Sequence, residues 1–253
     1  GNPAAVCQLT AAANPAWMQA IAAEFNLSET VFVRPVGTTW DLRFFTPRTE
    51  VALCGHATLA TAHLLLSTGL ARGRIAFTCP GGDLAAESDS ARIWLDFPRI
   101  ATQACPVDER LWEALGCMPQ AVYQAGDDIL VEAPDAEAVR RAQVDHRLVA
   151  ELPVRGVILT AAADDAEYDV ISRFFAPAAG IDEDPVTGSA HCAIGPYWAK
   201  RLRRNELRCH QASARGGSLL VRVGDSRVEL GGQAVTVFSG ALQAPPPSPE
   251  PSP

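Results

Sequence analysis

Two hydrophobic rhythms share this chain. Behind Asn14-Pro15, an N-cap followed by proline at the first helical position, Trp17, Met18, Ile21, Ala22 and Phe25 recur at helical spacing. They predict a helix to about Phe25. Residues 27–33 (LSETVFV) are instead β-branched and aromatic, and predict a strand with Glu29, Val31 and Val33 on one face. Residues 38–45 predict its partner, across a turn at Pro35-Val36-Gly37. From Ala57 to Leu66 the chain is small or apolar on every side, and Gly69 is placed to end the run. A helix with no polar face must be enclosed by protein. Short strands are expected near 74–79, 84–87 and 92–97, and a short helix at 108–115 lies in the connection that follows.

The second half repeats this order. Strands are expected at 129–132, 156–161 and 168–175, with a helix between them starting at Pro134-Asp135. A second all-apolar helix runs from Ser189 to about Ala199, where Pro196 should bend it or loosen its first turns. Closing strands are expected at 219–223, 227–230 and 234–238. Runs of strands around a lone apolar helix, twice over, describe an α+β protein, not a doubly wound one. The divisions this suggests are 1–100, 101–244 with its last strand returning to the first half, and a disordered Pro-rich tail at 245–253.

The repeat is visible in the residues themselves. Arg43-Phe44-Phe45 precedes Gly55 by the same kind of interval by which Arg173-Phe174-Phe175 precedes Gly188, and each glycine opens an apolar helix. A helix N-terminus exposes unpaired N–H groups and a partial positive charge, and glycine lets a ligand approach the backbone. Gly55 and Gly188 are therefore either plain helix caps or an anion site.

Composition narrows the partners. The chain has 253 residues, 48% hydrophobic and 20% charged, with a net charge of −8. That balance suits a globular protein and argues against nucleic acid or an anionic membrane as the main partner. No apolar run is long enough for a membrane span. Seven cysteines without a C-x-x-C pair read as reduced thiols in a cytoplasmic protein. The start at Gly1-Asn2-Pro3, without methionine, reads as truncated or processed.

Several chemistries are excluded by pattern. There is no G-x-S-x-G elbow around Ser189, no G-x-G-x-x-G or Walker loop, and no His/Cys spacing that suggests zinc. No cofactor and no metal are expected. What remains is a set of single residues, each with a plain alternative. Glu29 stands in a strand that should have one buried face, where a carboxyl is expensive unless paired or protonated; on the residues alone, its face reads as exposed. His56 is an acid/base or a structural histidine, while His63, two turns along, reads as packed in the core. Asp184 could cap the turn before Gly188, orient His56 or carry protons; Ser189 could bind substrate or cap its helix. Cys54, just before Gly55, is the one cysteine placed for chemistry.

Taken together these residues resemble the phenazine-biosynthesis, PhzF-like isomerase family, which shares its fold with diaminopimelate epimerase. The matching stretches are Gly1–Cys7 (GNPAAVC), Ser28–Phe32 (SETVF), Arg43–Pro47 (RFFTP), Glu50–Thr58 (EVALCGHAT) and Asp184–Ala190 (DPVTGSA), with weaker similarity at Gly231–Val235. The resemblance implies two pseudo-symmetric halves, each a curled, barrel-like mixed or antiparallel sheet around a central helix, with the active site in the cleft between them. It implies a cofactor-free proton shuttle and a homodimer. Glu29 matches the acid/base glutamate, which overturns the exposed reading. His56, Asp184 and Ser189 match supporting site residues, and Gly55 and Gly188 match the positions whose N–H groups hold a substrate carboxylate. Epimerase relatives carry a cysteine before each glycine. Here Cys54 stands at the first position but Thr187 at the second, which favours same-face movement of a proton alpha to a carboxylate in a small amino or hydroxy acid. The alternatives are a non-enzymatic carboxylate-binding protein and a Cys54-dependent epimerase. The family's usual first strand would precede Gly1.

Overall fold

The first helix, α1 (Pro15–Phe25), begins where its N-cap places it, with the Asn14 side chain accepting a hydrogen bond from the Ala16 N–H. A cap of this kind stabilises by about 1 kcal/mol. The structure is a computed structural model and describes residues 1–89, 91–106 and 109–243. The expected helix start at Asp108 and the Pro-rich tail at 245–253 lie outside those residues. The chain divides into two compact units. The first comprises Pro3–Asp96 with the segment from Gly232 onward, the second Gly1–Asn2 with Phe97–Gly231.

In the first unit, β1 (Ala4–Gln8), β2 (Glu29–Val36), β3 (Thr39–Phe45), the two-residue β4 (Glu50–Val51), α2 (Gly55–Ser67), β5 (Ile75–Cys79), β6 (Gly82–Ser88) and β7 (Ile93–Pro98) follow one another. The sheet order is β1-β2-β3-β5-β6-β7, with β4 on β3. The second unit contains β8 (Thr102–Ala104), α3 (Glu109–Leu115), β9 (Ala121–Ala125), β10 (Asp128–Glu132), α4 (Ala136–Arg141), α5 (His146–Ala150), β11 (Gly156–Ala162) and β12 (Val170–Phe175). It continues with α6 (Gly188–Leu202), β13 (Glu206–Gln211), β14 (Gly217–Val223) and β15 (Arg227–Gly232), in sheet order β15-β14-β13-β12-β11-β10-β9-β8.

Pairing sense exposes the duplication. Read from β1, neighbours are parallel, antiparallel, parallel, antiparallel and antiparallel. Read from β10, the series is the same. The protein is α+β, with two pseudo-symmetric halves on one plan. The repeated Arg-Phe-Phe has a structural cause. Arg43 makes a two-pronged bond to Glu50 and lies 5.4 Å from the Phe45 ring centre. Arg173 does the same with Glu183, 4.9 Å from the ring of Phe175. A planar guanidinium satisfies both a carboxylate and an aromatic face, so each half locks the end of a strand the same way.

Both faces of β2 and β11 are covered, and this decides where the site lies. On one face of β2, Phe32 packs with Cys7, Met18, Ala22 and Phe45 beneath α1. The matching face of β11 places Val157, Leu159 and Ala161 in a cluster with α3, α4 and α5. The opposite faces meet α2 and α6. Glu29 to Val33 is buried throughout, so strict alternation could not have revealed the face that carries Glu29.

Helix α6 is buried from Ala190 to Ala199. Pro196 lies inside it without ending it. Proline removes the N–H that would bond the Cys192 carbonyl, and the Ile100 N–H donates to that carbonyl instead, at 3.0 Å. Gly195 lets α6 approach β14, since a Cβ there would lie 2.5 Å from a Val221 methyl.

Some expectations change. Residues 234–238 are not a strand: Val235, Val237 and Phe238 are 81%, 94% and 84% exposed, and among the described residues no strand pairs with them. A β-prone sequence without a neighbour to take its backbone hydrogen bonds stays irregular. The helix expected after Pro134 is two short helices, α4 and α5, each capped by an aspartate, Asp135 and Asp145. His63 is only half-buried, with Nε2 3.0 Å from Thr236 Oγ1, so it is not a packed core histidine. Strands β1, β4, β8, β9 and β13 were not expected. Among the described residues no helix is long and apolar enough to cross a membrane.

Candidate active site

In the first unit, three side chains from two elements converge. Glu29 is the first residue of β2, buried at 8% exposure, opposite Ala4 of β1. Cys54 is the N-cap of α2, extended at φ −145°, and its side chain does not cap the helix. Its carbonyl accepts from the Thr58 N–H at 3.1 Å and from Thr58 Oγ1 at 2.7 Å, which fixes the first turn. His56, the second residue of α2, then places Nε2 3.1 Å from Glu29 Oε2 and Nδ1 3.5 Å from Cys54 Sγ. Glu29 Oε2 is within ion-pair distance of the ring but makes no aligned hydrogen bond, so its lone pairs are not committed.

The protonation states follow from these neighbours. Burial by itself would lower the His56 pKa; the Cys54 sulfur and the Glu29 carboxylate outweigh it and raise the imidazole well above its ordinary value. Burial raises the Cys54 thiol, and Glu29 adds to that, so the sulfur keeps its proton near neutral pH. One ligand atom from each of Glu29, Cys54 and His56 lies within 4.8 Å of the others.

In the second unit the helix start is held differently. Asp184 accepts from Asn2 Nδ2 at 2.7 Å and from the Thr187 hydroxyl. Gln211 bridges the same turn: its Oε1 accepts from the Thr187 N–H at 2.8 Å, and its Nε2 donates to the Asp184 carbonyl at 2.7 Å. His191 Nδ1 lies 2.7 Å from the Thr187 carbonyl. A carbonyl only accepts, so Nδ1 carries the proton and the buried Nε2, which has no partner, is a bare lone pair. Charging that ring would bury an unpaired cation, and burial lowers its pKa to about 4. Ser189 Oγ accepts from Arg155 at 3.2 Å, and Arg155 is held in turn by a two-pronged bond to the buried Asp128. By helix geometry the first N–H groups from Gly55 and from Gly188 have no partner inside the helix.

Glu29, His56, Gly55 and Cys54 thus come together in one unit, and Asp184, Thr187, Gly188 and Ser189 in the other. Sequence reasoning missed Gln211, Arg155 and the tie from Asn2. Gln211 had a signal: in residues 206–211 it shares the alternating face of Leu207 and Cys209, where a fully buried polar side chain must serve a partner. Arg155 had none, because its partners lie 27 and 34 residues away.

Duplicated halves of this kind are the fold of an epimerase. The crystal structure of a hydroxyproline epimerase from Agrobacterium vitis, with bound trans-4-hydroxy-L-proline, superposes with a TM-score of 0.55 at 14% identity, over 84% of this chain and 75% of that one, a likeness of fold. Closer is the crystal structure of a PhzF family phenazine biosynthesis protein from Enterococcus faecalis, with a TM-score of 0.87 and 42% identity over 92% of this chain and 89% of that one. An "uncharacterized isomerase" of Pseudomonas aeruginosa is 47% identical over 244 residues, 96% of this chain and 93% of the relative. The phenazine biosynthesis-like (PhzC–PhzF) family matches residues 1–240, so the chain belongs to that family and is an enzyme of the isomerase class.

Proposed function

We propose that the chain moves a proton alpha to the carboxylate of a small amino or hydroxy acid, with Glu29 as the single acid/base. The observation that supports this most is the state of Glu29: a carboxyl group buried beside a glycine-led helix start, 3.1 Å from His56 Nε2, with an oxygen that no hydrogen bond consumes. A general base needs such an oxygen within reach of the proton it takes. The protonated His56 beside it is placed to donate to the carboxylate or to the substrate. In this reading the helix start at Gly55 and the helix start at Gly188 are each substrate-binding groups with N–H groups suited to an anion, as helix N-termini are, and the Ser189 hydroxyl can donate next to Gly188. Asp184 is a positioning residue, because its carboxylate shapes the turn before Gly188 through Thr187 and Asn2.

No cofactor enters this scheme. The proton leaves one carbon, rests on Glu29 and returns to another carbon on the same face; the electron pair moves along the substrate. Glu29→Gln keeps size and polarity but cannot hold the proton. It should cut exchange of substrate hydrogen with deuterated solvent by about a thousand-fold across a panel of small amino and hydroxy acids, with the circular dichroism unchanged. Undiminished exchange would sink the proposal. A second reading rests on the Cys54 sulfur, 3.5 Å from His56 Nδ1, which could act as a thiol acid/base in an epimerase. The protonated state of that buried thiol weighs against it.

A further inference from the structure

Glu29, Cys54 and His56 offer three different donor types: a carboxylate oxygen, a sulfur and an imidazole nitrogen. They come from β2 and from the start of α2, so no contiguous spacing announces them. All three ligand atoms lie within 4.8 Å of one another. Tetrahedral zinc takes sulfur at about 2.3 Å and nitrogen or oxygen at about 2.0–2.2 Å, which puts neighbouring ligand atoms roughly 3.3 to 3.8 Å apart. With Nε2 as the single imidazole ligand, the separations are 3.1 Å to Glu29 Oε2 and 4.0 Å to Cys54 Sγ, so the carboxylate is close to that spacing and the sulfur must close by a few tenths of an ångström. A second observation is independent of the spacing. Glu29 Oε2 is buried and makes no aligned hydrogen bond, its near polar neighbour being the His56 ring at 3.1 Å, so it keeps lone pairs that a cation could take. A cation at the centre of the three groups would serve it.

We propose that these three residues form a binding site for a zinc-like divalent cation, with three protein ligands and a fourth position open to water or to a substrate carboxylate. The donor set selects the metal class. Thiolate with imidazole suits zinc and cobalt, whereas magnesium and calcium require oxygen ligands throughout. Coordination displaces the Cys54 proton and any proton on the liganding His56 nitrogen to solvent, and no electron is transferred. The metal would be an inhibitor, because it ties up the carboxylate oxygen assigned to proton transfer. That consequence rests on the role proposed for Glu29; the coordination itself does not.

The test uses the full chain, reduced and stripped with chelator, titrated with cobalt(II) as the spectroscopic probe. Saturation at one equivalent is expected, with a sulfur-to-cobalt charge-transfer band in the near ultraviolet that zinc(II) bleaches. Cys54→Ser should lose that band. Glu29→Gln should keep it with affinity at least about ten-fold weaker. Cys117→Ser, a half-exposed cysteine in the other unit, should change neither. A band that survives Cys54→Ser, or no saturable binding, overturns the site. Should Cys54→Ser fail to fold, unchanged cobalt affinity in both Glu29→Gln and His56→Gln overturns it equally. If the wild type bleaches correctly but exchanges no substrate hydrogen, the proposed activity fails and the metal site stands. If exchange is present and one equivalent of zinc(II) leaves it undiminished, the inhibitory role fails.

Discussion

Glu29 opens β2 in one half and Gly156 opens β11 in the other, at the same step of the same pairing. Glu29 faces Ala4 and the next residue, Thr30, faces Phe45; Gly156 faces Asp128 and the next residue, Val157, faces Phe175. No side chain can replace that glycine in place. A Cβ on Gly156 would lie 2.5 Å from the Phe174 ring and 2.9 Å from the Phe175 carbonyl oxygen. The helix starts diverge in step. Cys54 corresponds to Thr187 and His56 to Ser189. Thr58 corresponds to His191, since each side chain contacts the carbonyl four residues back. Duplication therefore repeats the backbone, which presents helix N–H groups twice, but a carboxyl opens the strand at this step only in the first half. In the second half Asp128 and Asp184 are also buried, but Arg155 occupies the first, and Asn2 and Thr187 donate to the second. In the proposed reading, proton transfer belongs to one half and the other holds the substrate.

The sharpest way to break this contrast is to disable each half in turn. Glu29→Gln should cost about a thousand-fold in solvent hydrogen exchange, a general-base loss of about 4 kcal/mol. Ser189→Ala, which removes one hydroxyl from the corresponding region, should cost no more than about ten-fold. Equal losses, measured by mass increase of substrate in deuterated buffer, would mean that both halves take part in proton transfer.

Next in size is a stability effect confined to the holding half. Gln211 serves Thr187 and Asp184 at once and is fully buried. Gln211→Leu keeps the volume but leaves a buried N–H and a buried carbonyl without their partner. Each costs on the order of 1–3 kcal/mol, so urea unfolding should show a loss of about 3 kcal/mol. A loss under about 1 kcal/mol would show that water replaces the amide and that the turn before Gly188 does not depend on it.

The two halves differ in how much of each could be read in advance. The repeat and the two enclosed helices were legible, and Gly55, His56, Asp184, Gly188 and Ser189 could be singled out as candidates from the residues, with Glu29 assigned only through the family resemblance. They sit in local motifs whose composition is unusual for the element that carries them. The burial of Glu29 was not legible from alternation, because α1 and α2 cover opposite faces of β2. Arg155 was missed because its partners are long-range, and Gln211 because β13, whose alternation would have marked it, was not expected as a strand. The Cys54–Glu29 proximity was equally hidden, since two antiparallel pairings, β2 with β3 and β3 with β4, bring a strand start beside a helix start without any sequence spacing to mark it.

The histidines sharpen the comparison through pH. His191 falls from 6.5 to about 4 in the folded chain, so between those values the unfolded chain binds more protons and stability rises with pH. Acidification from pH 7 to 5 should therefore remove about 2 kcal/mol through this residue alone. His56 has the opposite sign. Its folded pKa is raised, so its contribution is fully present below 6.5 and is lost as pH rises through the folded value. Unfolding titrations should show His191→Leu losing less stability on acidification than the wild type, and His56→Asn losing less on alkalinisation. The same slope in wild type and His191→Leu would mean that the His191 ring is hydrated in the folded state.

The smallest effect expected is at Cys54. Its thiol holds its proton because it is buried, and the residue at the corresponding position, Thr187, cannot act as a thiol at all. A sulfur used for chemistry would need its thiolate form within reach of the substrate, whereas here the neighbouring imidazole is shared with Glu29 at the shorter distance, 3.1 Å against 3.5 Å. Cys54→Ser preserves size and a hydrogen-bonding group beside His56. It should change the rate of solvent exchange by less than about five-fold, under about 1 kcal/mol of barrier. Loss of exchange comparable to that of Glu29→Gln would move the acid/base from the strand to the helix cap, and with it the reaction from same-face isomerisation to thiol-dependent epimerisation.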